Sequence, residues 1–329
     1  MDLTHFFNAQ PGIYVVQAFL HSLSAAILAD RAIIAWDIRN PVVRQQFHLI
    51  AVFVPVFSYP LYQWLDPQRG SLEFRLRTLF DSGRWLQVEL WNVLPVGMLL
   101  VLVLVATTLV FLLQELVPIL RHRPGHVDPT PKVSRAGQGS TVARAAQGLG
   151  DSAPELFIVD DDEPAIHSVT GRSPAIYVTE GLLRRLEPAE LTVAIAHELA
   201  HIRRGRRPLL IVAYAMRVAL FFSAGTLVAF RRAAAEEEKI CDDWAAQATG
   251  RPEALAAVLE RLRLLDAEEF ERGPAQAGLR SIAHVSYDLM LRERIGRLVD
   301  QGSPSTARGE WWKFAVTLVS IAVLNYYVV

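Results

Sequence analysis

His197, Glu198 and His201 form a His-Glu-x-x-His spacing inside an apolar stretch, and that spacing carries a chemistry. At about 3.6 residues per turn, positions four apart stack on one face of a helix. Both imidazoles can then aim at one point about 2 Å away, where a metal ion would sit. Glu198, one residue on, projects beside that point and is placed to take a proton from an activated water rather than to bind the metal. A helix must hold the three. Pro188 suits its first position and Glu190 its first turn, while Leu191, Val193, Ala194, Ile195 and Leu199 carry an apolar pattern to a stop at Gly205 and Pro208. The competing reading is a pair of ordinary surface histidines, and a third ligand would weaken it.

Candidates for that ligand cluster downstream at Glu236, Glu237 and Glu238, followed by Cys241, Asp242 and Asp243 in a segment that reads as helix. Glu238 and Asp242 are four apart and share a face. Glu238 can therefore bind zinc while Asp242 accepts the free imidazole N–H of a ligating histidine. Glu236 would share its face with Ile240, and Glu237 with Cys241. A charged, solvated helix face is the alternative. The acidic run Asp160 to Glu163 reads as a solvated loop, because no spaced oxygen-ligand pattern or loop glycine accompanies it.

The elements between these groups impose a constraint. Pro208 to Phe230 is nearly continuously apolar over 23 residues, and a straight helix of that length rises about 35 Å, enough to carry Glu238 across a bilayer from the histidines. Ligands of one ion cannot lie on opposite sides of a membrane. The segment 208–230 is therefore expected to fold back as a re-entrant or interfacial helical hairpin, with Ser223, Ala224, Gly225 and Thr226 as its break. Arg217 fits such a hairpin, where it can reach headgroups or protein.

With 52% hydrophobic residues, a net charge of −1 and a mean hydropathy of +0.24, the chain is more apolar than an average soluble protein. Membrane spans are expected near 13–35, 47–65, 92–117 and 311–329, the last opened by Trp311, Trp312 and Lys313 and closed by Tyr326 and Tyr327. His21 and Asp30 within the first span are read as packing against other helices. Met1 to Gln10 lacks the basic region and cleavage site of a signal peptide, so the first span is expected to stay as an anchor. Cys241 is the single cysteine, which excludes an intrachain disulfide and suits a reducing compartment. No basic tail points to nucleic acid as a partner.

Arg39 and Arg44, then Arg121, Arg123, Lys132 and Arg135, then Arg308 all fall on the side that the arginine rule assigns to the cytosol. The loop 66–91 would be external, although its Arg69, Arg75, Arg77 and Arg84 count against that orientation. After a Pro- and Gly-rich linker comes a short helical candidate at 140–147. Leu156 to Val159 and Ala175 to Thr179 then read as strands of a small sheet, whose edge could hold an extended peptide by backbone pairing.

The stretches Pro174 to Leu183 (PAIYVTEGLL), 186–205 (LEPAELTVAIAHELAHIRRG) and 238–245 (EKICDDWA) together resemble the membrane-bound gluzincin metallopeptidases. The first two look like both the BlaR/MecR-type sensor-transducer peptidases and the HtpX/Ste24-type endopeptidases, and the third looks more like the BlaR/MecR type. The resemblance implies Zn²⁺ held by His197, His201 and Glu238, with Glu198 as general base in peptide-bond hydrolysis. Arg292 to Leu298 (RERIGRL) resembles a segment near the end of these domains, where some members carry an oxyanion-stabilising histidine. His284 is the nearest candidate here, at a spacing that departs from the pattern, and a surface histidine is the competing reading. No segment corresponds to the penicillin-binding sensor of the BlaR/MecR type, so any signal is expected through the membrane helices, the 66–91 loop or a partner.

The expected fold class is thus mainly α, a multi-pass membrane protein with a small β-sheet in a gluzincin zinc-peptidase domain. Its parts would be a membrane domain (1–120), a linker (121–154), a cytosolic metallopeptidase domain (155–305) and a terminal span (311–329). The function expected is hydrolysis of a protein or peptide substrate at the bacterial cytoplasmic (inner) membrane, with the lipid bilayer as the other partner. Two other readings stand beside it: a silent signalling or scaffold protein with a structural zinc site, and a broad quality-control protease.

Overall fold

The computed structural model describes residues 10–91, 93–116, 132–149, 154–205, 207–272, 279–300 and 311–329. Its main helices are α1 (Gln10–Ala35), α2 (Pro41–Leu65), α3 (Val96–Phe111), α4 (Thr141–Ala146), α5 (Pro188–Arg204), α6 (Arg207–Ala219), α7 (Ala224–Thr249), α8 (Pro252–Arg272), α9 (Leu279–Val299) and α10 (Trp311–Tyr326). Four strands form one sheet: β1 (Val133–Arg135), β2 (Glu155–Val159), β3 (Ile166–Val169) and β4 (Ala175–Thr179). The chain divides into two compact units, one of residues 1–122, 209–236 and 305–329, the other of 123–208 and 237–304.

In the first unit, α1, α2 and α3 with its continuation to Leu116 are long and apolar enough to cross a membrane. Asn40 starts α2 by accepting the N–H groups of Val42 and Val43, and Pro41 takes the position where a missing donor costs nothing. The start of α3 is later than the apolar composition suggests, because Leu94 and Pro95 pair with Glu89 and Leu90 in a short ladder. At 16 residues, α10 rises about 24 Å, less than the hydrocarbon thickness of about 30 Å. Its buried Ile321 shares a cluster with Ala25 of α1 and Ile50 and Ala51 of α2.

Arg69, which counted against an external loop, is 1% exposed and closes the end of α10, donating to the carbonyls of Asn325 at 2.9 Å, Tyr326 at 3.0 Å and Val328 at 2.6 Å. Arg75 pairs with Asp81 and Arg77 with Glu73. Local partners thus account for three of the arginines that the charge rule counted. His21 packs inside as expected, 2.6 Å from Ser58 Oγ, and Asp30 pairs with Arg232.

The apolar segment after the motif helix turns back within the first unit. α6 stops at Ala219, and the rings of Tyr214 and Phe230 meet at 5.6 Å across the hairpin. Ala213, Ala229 and Ala233 are buried in one cluster, and these small side chains let the helices approach closely. The break differs from the expected Ser223–Thr226. It spans Leu220 to Ser223, whose Oγ accepts the Thr226 N–H at 3.3 Å and so caps α7. Gly225 lies in the helix, and its requirement is contact: a Cβ there would come within 2.7 Å of the Ser22 carbonyl of α1. Arg217 reaches protein, pairing with Glu115 at 2.5 Å and lying 5.0 Å from the centre of the Phe111 ring.

In the second unit the sheet runs β1-β2-β4-β3, with β2 and β4 parallel and both outer pairs antiparallel. Ile176 and Val178 of β4 are buried in one core with Leu191, Val193, Ile195 and Leu199 of α5, Leu255 and Leu259 of α8, and Leu291 and Leu298 of α9. Ile176 and Val178, alternating along β4, and Leu191, Ile195 and Leu199, four apart along α5, supply the two matching apolar faces. The opposite face of the sheet carries Phe157, Tyr177 and His167 as stacked rings. Described parts of the expected linker 121–154 belong to this unit, as the outer strand β1 and as α4. Residues 209–236 group with the first unit rather than with 155–305.

α5 begins as the sequence suggests, with the Glu190 carboxylate accepting the Glu187 N–H at 2.9 Å. It ends at Gly205, whose φ of 58° is the left-handed turn that a glycine adopts without a Cβ clash. Pro208, read as part of the stop, instead lies in the first turn of α6, where proline is tolerated. Gly225→Ala is expected to destabilise the protein by about 1–3 kcal/mol through overpacking against Ser22. The thermal unfolding midpoint of the detergent-solubilised chain checks this, and an unchanged midpoint would refute it.

Candidate active site

Along α5, His197 and His201 project one turn apart with their rings 4.9 Å between centres. Glu238 of α7 faces both: its Oε2 lies 3.5 Å from His197 Nε2 and its Oε1 3.5 Å from His201 Nε2. Around a tetrahedral zinc with bonds of about 2.0–2.1 Å, neighbouring ligand atoms stand about 3.3 Å apart. Two nitrogens and a carboxylate at these separations could therefore surround one such ion, and all three donors lie within 4.8 Å of one another.

Asp242, one turn further along α7, is 1% exposed. Its Oδ1 lies 3.0 Å from His197 Nδ1, with the ring N–H not squarely aligned on it. Arg294 of α9 grips the same carboxylate with two bonds of 2.7 and 2.8 Å and reaches Glu238 at 3.2 Å. Behind His201 stands a different partner, the Cys241 thiol, 3.3 Å from Nδ1.

The charges follow from these contacts. Burial works against ionisation of Asp242, yet the Arg294 fork and His197 outweigh it and hold the carboxyl at about 2. Glu238 is likewise lowered against its burial by His197 and Arg294. For His197, burial disfavours the proton, but Asp242 and Glu238 prevail and raise it to about 9. His201 moves the other way, lowered by burial and by its cationic neighbour His197. The carboxylates that favour a proton on His197 equally favour a metal cation, which would bind the neutral ring.

A second donor group, His201, Glu237 and Cys241, also lies close together. It is less suited to an ion. Both oxygens of Glu237 are bound by Arg204 at 2.8 and 2.9 Å, and burial raises the Cys241 thiol well above its ordinary range, away from the thiolate that a metal needs. Glu236 pairs with Arg44. The three consecutive glutamates thus take three directions, because successive residues on a helix are rotated by about 100°.

Glu198 lies beside the histidines on α5, and its Oε2 accepts the Ser168 hydroxyl at 2.5 Å. Ser168 belongs to β3, a strand the sequence reading did not anticipate. Arg207 in turn donates to both the hydroxyl and the carbonyl of Ser168. Of the expected site residues, the structure brings together His197, Glu198, His201, Glu238 and Asp242. His284 lies on α9, with its side chain outside the described residues. Ser168, Arg207 and Arg294 are the additions. Only Arg294 had a signal in the sequence, as part of the RERIGRL segment.

Comparison with known proteins agrees with this geometry. The family model described as "Peptidase family M48" matches residues 129–271. A "Protease HtpX homolog" of Acidiphilium cryptum is 31% identical, covering 48% of this chain and 71% of its own length. The chain belongs to peptidase family M48. It is accordingly a membrane zinc metallopeptidase, mainly helical with a small mixed sheet. "Protease HtpX homolog 1" of Streptomyces coelicolor is 31% identical over 35% of this peptidase, and a "Protease HtpX homolog" of Methanopyrus kandleri is 27% identical over 51%. The peptidase spans 49% and 59% of those two relatives. The likeness shown is therefore to the HtpX-type branch of the resemblance. No solved structure gives a significant match.

Arg294→Met is expected to cost about 3–5 kcal/mol, because it leaves the Asp242 carboxylate buried without its cation. Chemical denaturation of the purified protein measures this, and a loss below about 1 kcal/mol would show that Asp242 is held by other means.

Proposed function

We propose that this peptidase is an endopeptidase of the bacterial cytoplasmic (inner) membrane, cutting a protein substrate with a site that faces the cytosol. His197, His201 and Glu238 hold the zinc, Glu198 is the general base, and Asp242 orients His197. When bound, zinc supplies the Lewis acidity that makes water a nucleophile near neutral pH. The observation that carries the reading is the convergence of two imidazole nitrogens on one carboxylate at 3.5 Å, with Glu198 alongside.

Each side chain has a task in the reaction. Glu198 takes a proton from the attacking water and passes it to the leaving amine. Its Oε2 is engaged by Ser168, while Oε1 takes no hydrogen bond among the described residues and is the oxygen available for that exchange. Arg294 keeps Asp242 ionised, so His197 stays oriented with Nε2 toward Glu238. The outer edge of β3, beside α5 and paired with no further strand among the described residues, suits an extended substrate held by backbone pairing, which accepts many sequences. A catalytically silent scaffold with a structural zinc would have no use for a base set beside the metal donors.

Glu198→Gln is expected to keep about one zinc per chain by elemental analysis and to lower casein hydrolysis by at least about a thousandfold. His197→Ala and Glu238→Ala should lose the metal as well as the activity, and chelation should reproduce that loss in the unaltered protein. Unchanged hydrolysis by Glu198→Gln would reject the mechanism. Orientation is tested separately with Cys241→Ser protein carrying a new cysteine at Ser140. An impermeant thiol reagent should label it only after the cytoplasmic membrane is opened, and labelling of intact spheroplasts would place the site outside.

A further inference from the structure

Among the described residues β3 is one of the two outer strands of its sheet, and its pairing with β4 fixes which backbone groups face outward. The Thr179 N–H donates to the Ala165 carbonyl, and the register pairs Ile166 with Val178, His167 with Tyr177 and Ser168 with Ile176. In an antiparallel ladder, hydrogen-bonded pairs alternate with pairs whose polar groups point outward. Residues 165, 167 and 169 therefore bond to β4, while the N–H and C=O of Ile166 and Ser168 face the open edge. The Ser168 side chain turns inward, 4% exposed, and donates to Glu198. Ser168 is thus both the edge position nearest the general base and its direct support.

That edge position is taken. Arg207 donates through Nη1 to the Ser168 carbonyl and through Nη2 to its Oγ, the latter at 2.8 Å. The guanidinium therefore stands where an extended peptide would pair with β3. Its fork also fixes Ser168: a hydroxyl that accepts from Arg207 has its single proton left for Glu198. Arg207 arrives there because Gly205 ends α5 in a left-handed turn and α6 restarts two residues later.

We propose that Arg207 is a latch on the substrate edge, an internal donor that a peptide N–H must displace from the Ser168 carbonyl before the chain can lie across Glu198. The inference rests on the proposed peptidase site and names the regulation of that site. A charged donor is held more strongly than a neutral peptide N–H can replace it, so the latch lowers substrate affinity. Displacement also changes the hydrogen bonding of Ser168, which links occupancy of the edge to the setting of the base.

The test uses the full-length protein in detergent and a fluorescein-labelled ten-residue peptide from β-casein. Binding is read by anisotropy in a Glu198→Gln background, where cleavage is suppressed. Adding Arg207→Ala should tighten binding about fivefold, the equivalent of about 1 kcal/mol for one net hydrogen bond. In the active background, the same substitution should lower KM for the unlabelled peptide, whereas Ser168→Ala, which keeps the backbone carbonyl and frees Glu198, should lower kcat with little change in KM. Arg207→Lys retains the charge without the fork and should fall between the unaltered protein and Arg207→Ala. Weaker binding by Arg207→Ala that Lys restores would mean that Arg207 attracts the substrate, and unchanged binding would mean that it only braces β3. Either result overturns the latch. Absence of hydrolysis by the unaltered zinc-loaded protein would instead reject the peptidase reading, a separate outcome of the same measurements.

Discussion

A carboxylate that is almost wholly out of water, Asp242, is the tie on which the candidate site depends. It gathers three helices by charge: α7 supplies it, α9 grips it through Arg294, and α5 meets it with His197. Such a group is costly to bury alone, and the arginine fork is what makes the ionised form stable there. With it in place, His197 is oriented, Glu238 one turn away is presented to both imidazoles, and the surrounding leucines can close over a centre whose charges are already matched. The polar network and the apolar core are complementary. The core brings α5, α8 and α9 against the sheet, and the network determines which way their polar edges turn.

The first unit meets a related problem with opposite means. Its helices carry few charges, and small residues bring backbones close enough for dispersion and short polar contacts to act. Ser22 meets Ser223 at 2.5 Å, and Gly225 lies against the same turn of α1. Where charge does occur it is given a partner, Glu115 for Arg217 or the terminal carbonyls of α10 for Arg69. The fold-back of α6 and α7 is therefore a packed hairpin built on alanine and glycine.

Much of the site was legible in the sequence because it is written in helical spacing. The histidines are four apart, as are Glu238 and Asp242, and a single rotation rule separates Glu238 from its two acidic neighbours. The hairpin was legible for a different reason, since a straight apolar helix of that length would carry Glu238 across a bilayer from the histidines proposed to share an ion with it. Its turn lies a few residues before the small-residue stretch, because one of those residues, Gly225, is small to admit a neighbour rather than to bend the chain. β3 was not legible: Ile166-His167-Ser168-Val169 offers two apolar residues separated by two polar ones, and its strand form comes from pairing with β4 rather than from its own pattern. The roles of Arg207 and Arg294 in the site were hidden for a similar reason, because their partners lie 39 and 52 residues away. Local periodicity carries no record of such contacts.

The separate directions of Glu236, Glu237 and Glu238 bear on how this family member can vary. A surface loop absorbs a gained or lost residue by bulging, but a continuous helix passes the change on as a turn of about 100°. One extra residue within α7 between Glu236 and Glu238 would present a different side chain to the imidazoles while leaving composition, charge and hydropathy almost untouched. Length in this helix is thus under a stricter constraint than identity at most of its positions, and natural diversity should appear there as replacement rather than as insertion or deletion.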